Sequence, residues 1–176
     1  MLDDRKYLLE AFVEAEKSKE EGTYPIGAVI VNSAGVIISR GRNRVFSDCD
    51  TTAHAEVDAI RKSGLAMLDP ENKKFLKENF TLYTTCEPCP MCSCTILLCF
   101  SIYRVVWAAD DNQIGAMRKF KEGPHFLDKF NKISCEAAPF RDLEVRQRKM
   151  MADWSIGRGY TDTTWQHDNE ILERID

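Results

Sequence analysis

The stretch from Phe80 to Ala109, FTLYTTCEPCPMCSCTILLCFSIYRVVWAA, limits the fold more than any other part of the chain. Its ends, FTLYTT and IYRVVWAA, are rich in β-branched and aromatic residues, while the middle, PMCSCTILLCF, opens on a proline and stays apolar. Strand, buried helix and strand in that order form a βαβ unit with parallel strands, because parallel neighbours need a crossover between them. Upstream, IGAVIV and VIISRG flank the turn residues NSAG and read as a hairpin. Strands alternating with helices predict an α/β sandwich, with helices on both faces of one sheet.

The remaining elements follow from periodicity. Leu8, Ala11, Phe12 and Ala15 lie on one face of a helix between Asp3 and Glu21, and HAEVDAIRKSG reads as a helix of about three turns closed by Gly64. PENKKFLKEN (70–79) reads as a short helical connector. FLDKFNKI (126–133) and DLEVRQRKMMADW (142–154) look helical, SIGRGYTDTTW (155–165) reads as a loop, and NEILERI is a short polar end.

With 176 residues, 44% of them hydrophobic, the chain can bury one sizeable core, and it reads as one domain over 1–176 with 154–176 as a C-terminal tail. It has no run of about eighteen apolar residues, and MLDDRKYLLEAFVEAEKSKEEG is charged throughout. Neither a membrane span nor a secretory signal is expected, and the location reads as cytoplasmic. In a reducing compartment the seven cysteines are metal ligands or buried apolar groups before they are disulfides. The net charge of −4 sits in the tail: six acids and two bases lie from Asp153 onward, which leaves twenty-two of each sign before it. A neutral body gives no support to a broad nucleic-acid surface. Arg141, Arg146, Arg148 and Lys149 are interleaved with Asp142 and Glu144 and read as a solvated helix face.

Cys89 and Cys92 have CxxC spacing, which alone admits a metal site, a redox pair or two buried thiols. Pro90 suits the first turn of a helix, where free N–H groups and the dipole favour thiolate over thiol. The surroundings lack a thioredoxin-like pattern, and HAE at 54–56 offers more ligands. His54 adds an imidazole, and two thiolates with one neutral imidazole balance Zn²⁺ while leaving a fourth position open to water. That open position separates a catalytic zinc from a structural one. Glu56 is the candidate base. Residues two apart diverge by about 200° on a helix, so His54 and Glu56 can face one site only at a helix end, which Thr51 or Thr52 could cap.

HxE followed in order by PCxxC, here His54-Ala55-Glu56 and Pro88-Cys89-Pro90-Met91-Cys92, is the signature of zinc deaminases. Together with YPIGAVIV, GRNRV, DTTAHAEVDAIR, LYTTCEPCPMC and RVVWAADD, it makes the region from about Pro25 to Ala109 resemble the cytidine deaminase superfamily. Within that superfamily the chain is most similar to guanine deaminases and tRNA adenosine deaminases. The resemblance implies a three-layer α-β-α sandwich around a mixed five-stranded sheet, and Zn²⁺ held by His54, Cys89 and Cys92. It also implies hydrolytic release of ammonia, with Glu56 moving protons, the Cys89 N–H as a donor to the intermediate, and Asn43 and Ala55 against the substrate. Members are usually homodimers or higher homo-oligomers. Similar enzymes close their site with C-terminal residues, so Trp154, Tyr160 or Trp165 forms either an aromatic lid or a packing anchor.

The implied substrate is a nucleobase or nucleoside. Free guanine comes first, the wobble adenosine of a tRNA is the alternative, and a cytosine-type base or a non-catalytic zinc module are further readings. TCEPCPMC and DTTAHAEVDAIR lean toward guanine deaminases, whereas DDNQIGAM is similar to tRNA adenosine deaminases. Two features depart from the pattern. SCTILL follows Cys92 where both branches run into small residues, and MRKFKEG lacks the acid expected of a guanine deaminase, with Glu122 a distant substitute. Ser93, Cys94 and Cys99 read as helix packing and Cys86 as a strand end.

Overall fold

A computed structural model describes residues 2–76, 78–118, 131–157 and 159. The first helix, α1 (Asp4–Glu20), begins where the Asp3 carboxylate accepts the Lys6 N–H at 3.1 Å. The hairpin of β1 (Gly27–Val31) and β2 (Ile37–Arg42) is antiparallel and turns through Gly35 at φ +80°, a conformation glycine adopts without a steric penalty. Next come α2 (Ala55–Lys62), the single turn α3 (Gly64–Met67), and a ribbon of β3 (Leu68–Asp69) with β4 (Lys74–Phe75). The expected βαβ unit follows as β5 (Phe80–Cys86), α4 (Pro90–Leu98) and β6 (Ile102–Ala109). Strand β7 (Ser134–Ala137) and helix α5 (Arg141–Gly157) follow.

The main sheet has the order β2-β1-β5-β6-β7; the pairs on either side of β1 are antiparallel and the two beyond β5 parallel. It is therefore mixed and five-stranded, with helices on both faces. Alternation along the strands divides the core between those faces. Val29, Val31, Tyr83 and Val106 pack with Tyr7, Leu8 and Phe12 of α1 and with Leu143 and Met150 of α5. Ala28, Ile30, Leu82, Val105 and Trp107 pack with Ala55 and Ala59 of α2 and Ile96 of α4. All seven residues of β5 are buried, as expected of a central strand covered on both sides. Among the described residues no helix is long and apolar enough to cross a membrane.

Several local expectations need correction. Residues 70–76 do not form a helical connector: the Asp69 carboxylate accepts the Asn72 N–H at 3.0 Å and the Asn72 side-chain amide at 2.8 Å, folding the segment into the β3–β4 turn. α2 has eight residues and stops at Ser63, and Gly64 opens α3 instead of closing α2. Residues 155–157 continue α5, where a loop was expected, because Ser155 is buried with the helix. Strand β7 was not anticipated; it is short and mostly exposed, so it shows no apolar alternation. Of the proposed 126–133 helix, residues 126–130 lie outside the described residues, and 131–133 form a turn and bend. Of the four basic residues read as solvated, Arg148 is 5% exposed and bonds Glu144 at 2.9 Å.

The register of α2 on the sheet depends on Gly41. A Cβ there would collide with the Ala55 carbonyl oxygen and the Ala59 nitrogen, so the helix backbone lies directly on β2. Gly41→Ala should cost about 1–3 kcal/mol as an overpacked contact, read as a lower urea midpoint, and should reduce any activity that depends on the start of α2.

Candidate active site

Two helix starts meet beside the C-terminal end of β5. His54 is the cap residue of α2 and Cys89 that of α4; both have extended backbones, with ψ 153° and 173°. Pro90 occupies the first turn of α4 and Cys92 follows it inside the helix. Neither Thr51 nor Thr52 caps α2. The Thr52 carbonyl instead accepts the His54 N–H at 2.8 Å, and the Thr52 hydroxyl bonds Asp50 at 2.7 Å. With an extended residue at the cap and Glu56 in the first turn, His54 and Glu56 face the same space.

His54 Nδ1 lies 3.7 Å from Cys89 Sγ and 3.5 Å from Cys92 Sγ, and one ligand atom from each of the three residues falls within 4.8 Å of the others. Tetrahedral zinc, with Zn–S about 2.3 Å and Zn–N about 2.0 Å, spaces sulfur and nitrogen ligands about 3.6 Å apart, so these three side chains fit such an ion. Their protonation is compatible with that fit. The hydrogen bond from Cys92 and that from His54 hold the Cys89 thiol down at about 4, while the same bond and burial push Cys92 up. Both sulfurs must become thiolates to bind a cation, so metal binding there releases protons. The bond to Cys89 raises the His54 pKa against the opposing effect of burial.

Glu56 is 3% exposed, and burial raises its carboxyl pKa above the ordinary range. The Thr84 hydroxyl on β5 donates to Glu56 Oε1 at 3.1 Å and fixes its direction. Asn43, 1% exposed, is fixed on the opposite side: Oδ1 accepts the Thr23 hydroxyl at 2.7 Å and the Val45 N–H at 3.1 Å. Because a backbone N–H can only donate, Oδ1 is the acceptor and the amide NH₂ remains a pure donor. Among the described residues Nδ2 has no partner. Asp58 grips both sides of this turn, accepting the Arg42 N–H at 3.1 Å and Arg44 Nη2 at 2.8 Å, which ties Asn43 to α2.

Asn43, His54, Ala55, Glu56 and Cys89 line one narrow cavity of about 30 Å³, together with Ile26, Cys86, Glu87, Asp111 and Ile114. Six of the seven side chains expected at the site are therefore brought together, Cys92 through the ligand cluster. Trp154 is not part of that lining. It stacks on Tyr24 at 4.2 Å and approaches Phe46 at 6.1 Å, while Tyr160 and Trp165 lie outside the described residues. Thr84, Asp58, Glu87 and Asp111 were not singled out from the sequence. Their partners are distant in the chain, and only the position of Glu87 beside PCxxC hinted at a role. A larger apolar cleft of 280 Å³ lies at the other ends of α2 and α4, lined by Met67, Leu68, Phe75 and Leu98 among others, and Cys99 is its only titratable group.

A two-thiolate, one-imidazole cluster with a buried carboxyl beside it, at paired helix starts on a mixed sheet, defines the zinc deaminase class of site. Residues 1–109 match the family model of the cytidine and deoxycytidylate deaminase zinc-binding region, and the chain belongs to that family. A tRNA-specific adenosine deaminase of Haemophilus influenzae is 38% identical over 128 residues, 72% of this chain and 68% of that protein. The chloroplastic tRNA(adenine(34)) deaminase of Arabidopsis thaliana is 40% identical over 113 residues, which are 64% of this chain but only 8% of that much longer protein. A guanine deaminase of Bacillus subtilis is 48% identical over 68 residues, 39% of this chain and 40% of that protein. A solved structure from studies of A-to-I editing by tRNA:A34 deaminases superposes with a TM-score of 0.64 at 29% identity, covering 81% of this chain and 99% of that one.

The metal and the carboxyl are separable by mutation. Elemental analysis should find one zinc per chain in the wild type and in Glu56→Ala, but much less in His54→Ala or Cys92→Ser. Glu56→Ala should lower turnover by at least about 10²-fold, the usual contribution of a positioned proton carrier, and near-normal turnover at full zinc would remove Glu56 from that role.

Proposed function

We propose that this chain is a zinc-dependent aminohydrolase that replaces the exocyclic amine of an adenine-type base by oxygen, with a tRNA adenosine as its substrate. The observation that carries the chemistry is the buried Glu56 carboxyl, oriented by Thr84, on the cavity shared with His54 and Cys89. His54, Cys89 and Cys92 would hold a zinc ion, which would supply Lewis acidity and lower the pKa of water at the open position. Glu56, whose raised pKa lets it carry a proton, takes one from water and gives it to the ring nitrogen, then takes the second from the hydroxyl added to the ring carbon and gives it to the departing amine as the C–N bond breaks. Ammonia leaves and an oxo-base remains. The Asn43 amide donates to an acceptor on the substrate, and the Cys89 N–H stands where negative charge develops.

Guanine loses its 2-amino group in deamination, so that amine faces Glu56 and only its N1–H needs a further acceptor. Of the two other acids of the cavity Glu87 is fully engaged, while Asp111 uses only Oδ1 among the described residues, so these acids do not separate the two bases. Glu87 accepts the Arg118 side chain, and Asp111 Oδ1 accepts the N–H groups of Gln113 at 2.9 Å and Ile114 at 3.0 Å. The relatives named for tRNA deamination align over more of the chain than the guanine deaminase does. This moves the first choice of substrate from free guanine to a tRNA base.

Free guanine is the second reading, and one surface feature favours it. Arg141, Arg146, Arg148 and Lys149 are each paired, with Glu144, Glu16, Glu144 and Asp153, so α5 presents no unpaired basic stripe for phosphates.

Ammonia release from adenine, adenosine, guanine, guanosine, cytosine and a tRNA anticodon stem-loop, with inosine measured in the RNA, decides between them. The expected result is inosine in the stem-loop and little turnover of free bases. Turnover of guanine alone would replace the substrate assignment, and no ammonia from any of them would remove the enzymatic one.

A further inference from the structure

We infer that Glu87 and Arg118 form a positioning clasp that holds the Asp110–Arg118 loop against the metal-ligand loop and so sets the width, and hence the selectivity, of the substrate cavity. The inference rests on the proposed use of that cavity for a heterocyclic base. Glu87 lies between the end of β5 and Cys89, with its N–H on the Ala109 carbonyl at 2.9 Å and a side chain 0% exposed. Neither carboxylate oxygen faces the cavity as a free acceptor. Oε1 takes the Arg118 N–H at 3.1 Å, and Oε2 takes Arg118 Nε at 2.9 Å, Nη2 at 2.8 Å and the Asp111 N–H at 3.2 Å. Arg118 in turn binds Asp110 at 3.1 Å and Asn112 at 3.2 Å, and Asp110 accepts Trp107 Nε1 at 2.7 Å.

The loop is fastened to the segment that carries the ligands at Asp111, Ala116 and Arg118. The Ala116 N–H donates to the Pro88 carbonyl at 3.0 Å, which also accepts the Ser93 hydroxyl at 3.1 Å. Gly115 lies so close that a Cβ would meet both the Asp111 carbonyl and the Glu87 carboxylate. The outer product of this arrangement is Ile114. It is 58% exposed, yet it lines the same cavity as Asn43 and Ile26. At about 30 Å³ the cavity is far below the roughly 300–1000 Å³ of ordinary ligand sites, so a base enters only as its walls move apart, and the clasp holds one of those walls. Glu87 and Arg118 touch no reacting atom on this reading; they act through Asp111 and Ile114.

The test uses Arg118→Met, Glu87→Gln/Arg118→Met and Arg118→Lys in the full chain. The double variant leaves no buried charge unpaired and keeps the test open should the single one misfold. Both Met variants should keep one zinc per chain, raise KM about tenfold with kcat within about threefold, and accept ring systems that the wild type rejects, because the wall has loosened and the proton carrier has not. Arg118→Lys should recover part of the KM. An unchanged KM, or zinc lost in proportion to activity, overturns the clasp. The kinetics use whichever base the wild type deaminates, so an error in the substrate does not affect the outcome. Hydrogen exchange supplies a reading without turnover: the amides of Asp111, Gln113, Ile114 and Ala116 should exchange at least about tenfold faster in zinc-loaded Arg118→Met. Unchanged exchange overturns the clasp even if the chain proves to be no deaminase.

Discussion

The site depends on one packing constraint: two helices must begin at the same place beside the end of a fully buried strand. α2 is pressed onto β2 at Gly41, and α4 follows β5 through the short segment Glu87–Cys89. The cap residue of a helix keeps an extended backbone while its neighbours are already helical. Its side chain therefore leaves the helix in a direction that no interior position offers. His54 and Cys89 both use that direction, and Glu56 and Cys92 come from the first turns behind them. Four side chains converge without strained backbone, since none of the described positive-φ residues other than glycine is among them.

That convergence is costly in the protein alone. A carboxyl, an imidazole and two thiols sit where water is largely excluded, and burying such groups is unfavourable unless they are paired. The protein's own answer is partial: Thr84 supports Glu56, and His54 lies within 3.7 Å of both sulfurs. A divalent cation bound by the imidazole and both sulfurs removes most of the remaining cost, so metal binding here is also a contribution to folding. The outer network follows the same logic at lower stakes. Asp58, 3% exposed, is matched by Arg44 and Lys62, and Glu87 by Arg118, while among the described residues the buried Asp111 is met by loop N–H groups alone.

What the sequence makes legible follows the range of the interactions. The βαβ unit, the hairpin and α1 are local patterns, and the HAE and PCxxC segments report their own helix starts through Pro90 and the short spacing. Asn43 was within reach because its neighbours GRNR resemble a known family. Elements stabilised by distant or sparse contacts were not legible: β7 is an edge strand with little buried surface, and the β3–β4 turn is governed by a single Asp69 side chain. The same holds for Thr84, Asp58 and the Glu87–Arg118 pair. Each is an ordinary polar residue in the sequence, and its role exists only once segments as far apart as residues 87 and 118 are folded together. Arg148 misleads for a related reason, since charge patterning records the sign of a residue and not the buried Glu144 that neutralises it.

Selectivity in such a site divides into two parts of unequal strength. Shape alone discriminates weakly, because an extra atom in an apolar slot changes affinity by only about 1–3 kcal/mol, whereas a polar group that must be left unpaired rejects a wrong ligand far more strongly. The Asn43 amide is the strong element: Thr23 and Val45 have taken its oxygen, so it can only donate, and a ring that offers no acceptor there leaves it buried and unpaired. Of the acids lining the rest of the cavity, Glu87 is the weak element, because Arg118 and the Asp111 N–H already occupy both its oxygens, whereas Asp111 takes the loop N–H groups on Oδ1 alone. Under the proposed function a base would be selected by its acceptor toward Asn43 and its amine toward Glu56, with the loop behind Ile114 limiting the size of the rest. Glu87 and Arg118 are not metal ligands, so the clasp proposed for this wall would let selectivity change while the ligand set stays intact.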